Sequence, residues 1–219
     1  LMEKSFGQLE SVRGIKKAQI ETFFNERKGD MGVLMETVGT LRTEAFGKLE
    51  AIQELKKVQL TDYFGLLQVQ LKILKDDPYA MQALTEFDRA FEEDGDKTGG
   101  PKWSVLAKKY DIRFHDIMND NGWYDLFLIH TDGDIVYTAT KESDLGMIIP
   151  DSSLKNSSLG KAFFKAQSAN MDDVVISDFA PYEPSGGVPA AFMMAQMKNS
   201  AGKLMGYAAL QIPLDKINN

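Results

Sequence analysis

The chain has 219 residues, enough for one large domain or two small ones, and 43% of them are apolar, so a packed core rather than disorder is expected. The formal net charge is −7 and no basic run occurs, which argues against nucleic acid as a partner because phosphate contacts need clustered Lys and Arg. Cysteine is absent, which removes disulfides, thiolate nucleophiles and thiolate metal sites while fitting the cytosol and the periplasm equally. No apolar run reaches the roughly 18 residues of a membrane-spanning helix. Leu1 opens directly into polar helical sequence without a signal-peptide pattern, so the chain is expected to be a fragment of a longer protein.

The first hundred residues contain a duplication. Phe6 to Phe24, FGQLESVRGIKKAQIETFF, recurs at an offset of 40 residues and without a gap as Phe46 to Phe64, FGKLEAIQELKKVQLTDYF. Leu34, Val38, Leu41, Ala45, Leu49, Ile52, Leu55, Gln59, Tyr63, Leu67, Leu71 and Leu74 step by threes and fours, a helical period. The Lys16-Lys17 and Lys56-Lys57 pairs fall off this stripe and suit a solvated face. Asp77-Pro78 ends the pattern, because a residue before proline is pushed out of the helical region. Two arrangements fit: one very long helix, weakened near Gly29, Gly32 and Gly39, or a helical hairpin that turns at those glycines, and the lack of a proline or a loop-length polar run between the copies favours the long helix. Neither can bury the stripe alone, so it needs the following domain, a partner chain or both, and a homodimer is expected.

Tyr79 to Phe91 predicts a short helix, and Glu92 to Pro101, EEDGDKTGGP, a loop that divides a helical stalk, residues 1–100, from a sheet domain, residues 101–219. Trp103 to Met118 predicts another helix, with Trp103, Leu106, Ala107, Tyr110, Phe114 and Met118 on one side and Asn119 to Gly122 as its end. A hairpin follows: Trp123 to His130, a turn at Thr131-Asp132-Gly133-Asp134, and Ile135 to Thr140, where Asp-Gly supplies the positive φ that tight turns need. Lys141 to Gly160 is irregular enough to cover a sheet face, and Leu159 to Ala169 predicts a short helix. Strands are then expected at Asp173 to Phe179, Val188 to Met197 and Leu204 to Ile212, with Ala180 to Gly187 as a loop. The fold class is α+β: a long N-terminal helix or helical hairpin, then an antiparallel five-stranded sheet with helices and loops on one face.

The segments GWYDLFLIHTDGDIVYT, KESDLG, SDFAPYEPS, GVPAAFMMAQM and GYAALQIPLDKIN together resemble the extracellular Cache (PAS-like) sensor region of bacterial methyl-accepting chemotaxis receptors, a region also found in sensor histidine kinases and receptor cyclases. The repeated LESVRGIKKAQIETFF and LEAIQELKKVQLTDYF are similar to the helix that leaves the first membrane span of such receptors. The resemblance covers nearly the whole chain. It implies a PAS-like sheet that binds a small molecule between its concave face and the covering helix and loop. It also implies membrane attachment through flanking segments outside the chain and a periplasmic location at the inner membrane. The Arg-then-Trp-Tyr-Asp signature of amino-acid-binding two-module relatives is absent in recognisable form: Trp123-Tyr124-Asp125 occurs, but the nearest arginine is Arg113.

Candidate ligand-binding residues follow from the sheet. Tyr124, Phe127, Tyr137, Phe192 and Met194 are strand residues able to line an apolar pocket, with ordinary core packing as the alternative for each. Alternation lets only one parity of each strand face the pocket, so not all five can line it. Asp178, at the end of a Val-Val-Ile strand, could pair with an amine or simply cap the turn before Pro181, and Tyr182 could close the pocket from the loop. Arg113 and His115, on the helix before the hairpin, could meet a carboxylate or lie on a solvated face, and residues two apart on a helix do not share a face. The ligand is expected to be a small metabolite such as a carboxylate or an amine.

Neither Asp94 to Asp96 nor Asn119 to Gly122 has the EF-hand order, because Ala90 and Ile117 stand where a carboxylate is required. No metal, no cofactor and no catalytic residue is therefore assigned. Two histidines, no cysteine and no serine-centred elbow argue against an enzyme. The leading expectation is a non-enzymatic sensor domain of a chemotaxis receptor. The alternatives are the sensor of a histidine kinase or cyclase, or a ligand-free dimerisation or protein-interaction module.

Overall fold

The computed structural model describes residues 2–170, 172–214 and 217. Asp215, Lys216 and Asn218, in the last segment of the sequence resemblance, lie outside the described residues. Helix α1 runs unbroken from Met2 to Asp76, so the repeat is built as one long helix and not as a hairpin. Gly29, Gly32 and Gly39 sit inside it with open space where a Cβ would stand. They cost helix stability of about 1 kcal/mol each relative to alanine, but no proline or polar loop accompanies them to turn the chain.

The chain divides into two units, Leu1–Gln59 and Leu60–Asn219. In the first, every described side chain is exposed, including the apolar stripe at Phe6, Leu9, Leu34, Leu41, Leu49 and Ile52. In the second, the same stripe becomes core at Leu67, Leu71 and Leu74. The division therefore falls at Gln59/Leu60 rather than at residue 100. The stretch between includes α2 (Pro78–Glu93), whose Ala83, Leu84, Phe87 and Phe91 are buried in the sheet unit's core. Asp77 starts α2: its carboxylate accepts the backbone N–H of Tyr79, and Pro78 occupies the first turn, where a missing N–H costs nothing.

Helix α3 (Pro101–Asn121) buries Trp103, Ala107, Tyr110, Phe114 and Met118, and Gly122 ends it in the left-handed region at φ 68°. The sheet follows: β1 (Asp125–His130), β2 (Ile135–Thr138), β3 (Val174–Ile176), β4 (Ala180–Tyr182), β5 (Val188–Lys198) and β6 (Leu204–Ile212). Its order is β2-β1-β6-β5-β3, all antiparallel, with β4 also paired to β5. The β1–β2 turn is the expected one: Gly133 has φ 100° and its N–H donates to the carbonyl of His130. Helix α4 (Ser158–Gln167) is capped by Ser157, whose hydroxyl accepts the Gly160 N–H.

Two expectations are corrected. The sheet has a sixth strand, β4, where the two-proline sequence Ala180 to Gly187 reads as a loop; Pro181 faces Pro189 in this pairing, and an edge tolerates prolines because no further partner needs their N–H. The sheet is also covered on both faces, not one. Leu126, Leu128, Tyr137, Ala191, Met193, Ala195, Ala208 and Leu210 join α1, α2 and α3 in one core. Phe127, Ile129, Ile135, Phe192, Met194, Tyr207 and Ala209 join α4 and the short 3-10 turns Ile149–Asp151 and Ser153–Asn156 in a second. Strands apolar at both parities force this, since a bare face would leave large side chains in water.

Gly206 shows how closely the layers approach. A Cβ there would stand 2.3 Å from the Ile129 carbonyl oxygen and 2.9 Å from a Leu84 methyl carbon. Gly206→Ala is therefore expected to destabilise the sheet unit by about 2 kcal/mol or more, read from urea unfolding, because backbone must move; an unchanged midpoint would contradict this packing.

Candidate functional site

The two cores sort the candidate residues. Phe127, Phe192 and Met194 stand together on the α4 face, and Tyr182 joins them from β4 with its ring 4.8 Å from that of Phe192. Phe192 in turn meets Phe127 at 5.7 Å. Tyr137 lies on the opposite face, pointing between α2 and α3, where its hydroxyl donates to Asp111 at 2.9 Å and its ring packs on Phe87 and Phe114. Its partner across the ladder is Leu128, and alternation places both away from Phe127.

Arg113 and His115 are also on the α3 side. Arg113 pairs with Asp77 at 3.1 Å and lies over the Tyr79 ring at 4.1 Å, beside a groove of about 260 Å³ that includes Gln70, Asn121 and Trp123. The Nδ1 of His115 faces the Asp111 carbonyl, one turn back on its own helix. Asp178 is exposed, beyond the end of β3. Tyr124 is half-exposed and donates to Glu142 at 2.8 Å. The structure therefore separates Arg113, His115, Tyr137 and Asp178 from the Phe127–Tyr182–Phe192–Met194 group, because α3 covers one face and the chain around Asp178 turns to solvent.

Polar residues missed by the sequence reading complete the α4 face. Asp125, Gln211 and Phe192 form one row across β1, β6 and β5, since Asp125 and Phe192 are both register partners of Gln211. Asp125 is fully buried. Its Oδ1 accepts the N–H groups of Leu126, Ala139 and Thr140 at 2.7, 2.9 and 3.0 Å, and its Oδ2 accepts the Thr140 hydroxyl. This carboxylate ties the start of β1 to the exit of β2. Lys141 then adopts φ 56° and turns the following chain, which carries Glu142 and Asp144.

Asp144 is also fully buried and accepts the Tyr182 hydroxyl on Oδ2 at 2.7 Å. Glu142 accepts from Tyr124 and, at 2.6 Å, from Ser185. Because Ser185 gives its proton to Glu142, it accepts from Gln211 Nε2 at 3.1 Å, which fixes the orientation of the buried Gln211 amide. On this face Asp144 Oδ1, Gln211 Oε1 and the hydroxyl of Ser158, at the start of α4, then have no hydrogen-bond partner. Asp144, in KESDLG, has no periodic sequence signal. Asp125 and Gln211 could have been found by combining strand parity with the rule that polar residues at core positions need a partner.

Burial dominates the electrostatics. It pushes the Asp125 carboxyl up to about 7, against the hydrogen bonds from Thr140 and Leu126 and with the Asp144 charge adding to the rise. Burial also raises Asp144, partly offset by the Tyr182 hydrogen bond and by the backbone N–H groups of Asp144 and Leu145, with Glu142 acting in the same direction as burial. The Tyr182 hydroxyl is held far above its ordinary value by burial and by Asp144, so it stays a donor. Among the described residues no group of three or more His, Cys, Asp or Glu side chains is placed to hold a metal ion.

Asp125 gives a pH prediction. The unfolded carboxyl ionises near 3.8 and the folded one near 7, so between these values the native state keeps a proton that the unfolded chain has released. Its contribution to stability is complete below the lower value and is lost as pH rises through the upper one, by up to about 4 kcal/mol. In Asp125→Asn the side-chain oxygen still accepts the three N–H groups and the amide donates to Thr140. The variant should match the wild type in acid and exceed it at about pH 8, as read from urea midpoints; a lower midpoint for the variant at about pH 8 would contradict this.

No family model matches the chain, and no curated protein matches it. Solved structures of sensor domains do. The chain is similar to the sensor domain of the Vibrio cholerae histidine kinase DctB, at 14% identity over 77% of this chain and 58% of that one, with a TM-score of 0.44. It is similar to the Escherichia coli DcuS sensor domain, at 10% identity over 74% of this chain and 94% of that one, TM-score 0.44. It is also similar to the ligand-binding domain of the Campylobacter jejuni chemoreceptor Tlp3, in complex with 4-methylisoleucine, at 14% identity over 74% and 62% of the respective chains, TM-score 0.38. The chain thus spans less than two thirds of the DctB and Tlp3 chains.

Proposed function

We propose that the chain is the small-molecule-binding sensor part of a bacterial transmembrane receptor, with chemotaxis as its output and its binding face between the sheet and α4. The observation that carries this reading is the polar pair Asp144 and Gln211, buried on an aromatic sheet face with acceptor atoms unpartnered. A purely structural core has no use for such atoms, because each buried unpaired acceptor costs about 1–3 kcal/mol, whereas a binding site has. The resemblance of the hairpin, KESDLG and GVPAAFMMAQM segments to Cache sensors supports the same reading. So does the continuity of α1, in which one helix carries the buried Leu67, Leu71 and Leu74 and the duplicated apolar stripe. The receptor is read as anchored in the inner membrane by segments outside this chain, with this part periplasmic; among the described residues no helix is long and apolar enough to cross a membrane. Histidine kinase and cyclase receptors share the sensor reading and differ in output. Binding without catalysis is the role assigned to the site.

The exposed stripe of α1 is read as a homodimer contact, since a long helix with Leu34, Leu41 and Leu49 in water is not at its free-energy minimum. Sedimentation of the purified chain should show a dimer that Leu41→Asp combined with Leu49→Asp dissociates, with the thermal transition of the sheet unit retained. A wild-type monomer at all concentrations would overturn the dimer. For the sensor reading, a metabolite library screened by thermal shift should yield at least one class of ligand, worth about 2.7 kcal/mol at 100 times its dissociation constant. A library without a stabilising compound would count against it and favour an interaction module.

A further inference from the structure

The turn between β1 and β2 touches the covers of both sheet faces. On the α4 side its Gly133 leaves no room for a side chain: a Cβ there would stand 2.6 Å from Pro150 Cδ and 3.2 Å from Phe163 Cζ. The Ile149 N–H donates to the Gly133 carbonyl at 3.0 Å, and Asp134 pairs with Ile148 in an isolated antiparallel bridge. On the other side stands α2, which the turn meets through His130, the last residue of β1. The Nδ1 of His130 lies 3.7 Å from Asp88 Oδ1 of α2 and 3.6 Å from Asp132 Oδ2 of the turn, both beyond hydrogen-bond length. Its Nε2 lies 3.3 Å from the Thr131 hydroxyl.

Carboxylates gather here from each element packed around the turn: Asp88 and Glu92 of α2, Asp96 of the loop after it, Asp132 and Asp134 of the hairpin, and Asp151 of the 3-10 turn. Burial raises the carboxyls of Asp88 and Asp134. In both, the His130 charge is the leading influence in the opposite direction, and neighbouring carboxylates add to the rise. A neutral imidazole leaves these like charges facing one another. An imidazolium places a donor and a positive charge at Nδ1, between carboxylates that belong to different elements.

We propose that His130 is a proton-operated latch between α2 and the β1–β2 turn: with the second proton on its ring, Nδ1–H closes on Asp88 and Asp132, and the turn is drawn toward α2 together with its contacts to Ile149 and Pro150. An imidazole changes its charge between about pH 8 and pH 5, so the latch is shut at the acid end and released as pH rises. His130 is a positioning residue in this device. The latch goes beyond the sensor reading, because a proton and not a ligand operates it.

The test is a double-mutant cycle of the full chain, wild type, His130→Gln, Asp88→Asn and the pair, read from urea unfolding at about pH 5.5 and about pH 8. The titration of Asp125 is common to all four chains and cancels in the cycle. Coupling between the two residues should favour the folded state by about 3-fold at the lower pH and vanish at the higher one. Equal coupling at both values, or none at about pH 5.5, overturns the latch. NMR of the wild type reads the far side of the turn and decides alone where a variant does not fold. The Gly133 and Ile149 amide resonances should move with the His130 imidazole as it titrates, and not with that of His115, which faces its own helix. Resonances that stay still between about pH 8 and pH 5.5, or that follow His115, overturn the proposal. No ligand enters either measurement, so failure of the latch leaves the sensor reading as it stands.

Discussion

Burial of a sheet that is apolar on both sides governs this molecule. β1, β5 and β6 place large apolar side chains at alternate and intervening positions, so each face needs a cover and the chain supplies two different ones. On one side the end of α1 with α2 and α3 forms a dense aromatic core around Phe87, Tyr110, Phe114 and Tyr137. On the other a single ten-residue helix and two 3-10 turns suffice. Regular helices bury area with few polar atoms to satisfy, whereas irregular chain brings carboxylates and hydroxyls with it. The difference in covering explains why the carboxylates Glu142 and Asp144 reach the α4 face, where Gln211 of β6 lies.

The carboxylates have different tasks. Asp125 closes the sheet: three backbone N–H groups and one hydroxyl converge on it where β1 begins and β2 ends. Glu142 is bound by Tyr124 and Ser185 near the surface. Asp144 is fully buried like Asp125 and has Tyr182 as its side-chain partner. Burial opposes ionisation of both Asp125 and Asp144, with the Asp144 charge adding to the rise at Asp125 and the Glu142 charge adding to the rise at Asp144. Ligand binding can be coupled to the position of the segment that carries Asp144, by as much as the ligand's affinity differs between two positions of that segment.

Much of this was legible in the residues. The duplication and its threes-and-fours stripe announce a helix, and Asp77-Pro78 marks its end to the residue. The Asp-Gly turn and the stretch AAFMMAQM announce strands, and the buried face of α3 is the one its periodicity picks out. The continuity of α1 was legible in the lack of a proline or polar loop between the copies, although the glycines permit a turn without requiring one. β4 was not, hidden between prolines that only an edge tolerates. The site was half visible. Phe127, Tyr182, Phe192 and Met194 do share one face, but Tyr137 belongs to the other because a strand of period two presents alternate residues to opposite sides. Asp178, beside a strand end, is a more conspicuous carboxylate than Asp144, which lies in irregular chain, and only the tertiary fold brings Asp144 under Tyr182.

The central claim is that the α2–α3 side is scaffold and the α4 side responds to ligand. Hydrogen–deuterium exchange of the full chain, with and without a saturating ligand identified from the metabolite library, tests it most directly. The account predicts slowed exchange in the segment from Lys141 to Asn156 and around Tyr182 to Ser185, with α2 and α3 unchanged. Protection confined to α2 and α3, beside Arg113 and Trp123, would contradict it and move the binding site to the opposite face of the sheet.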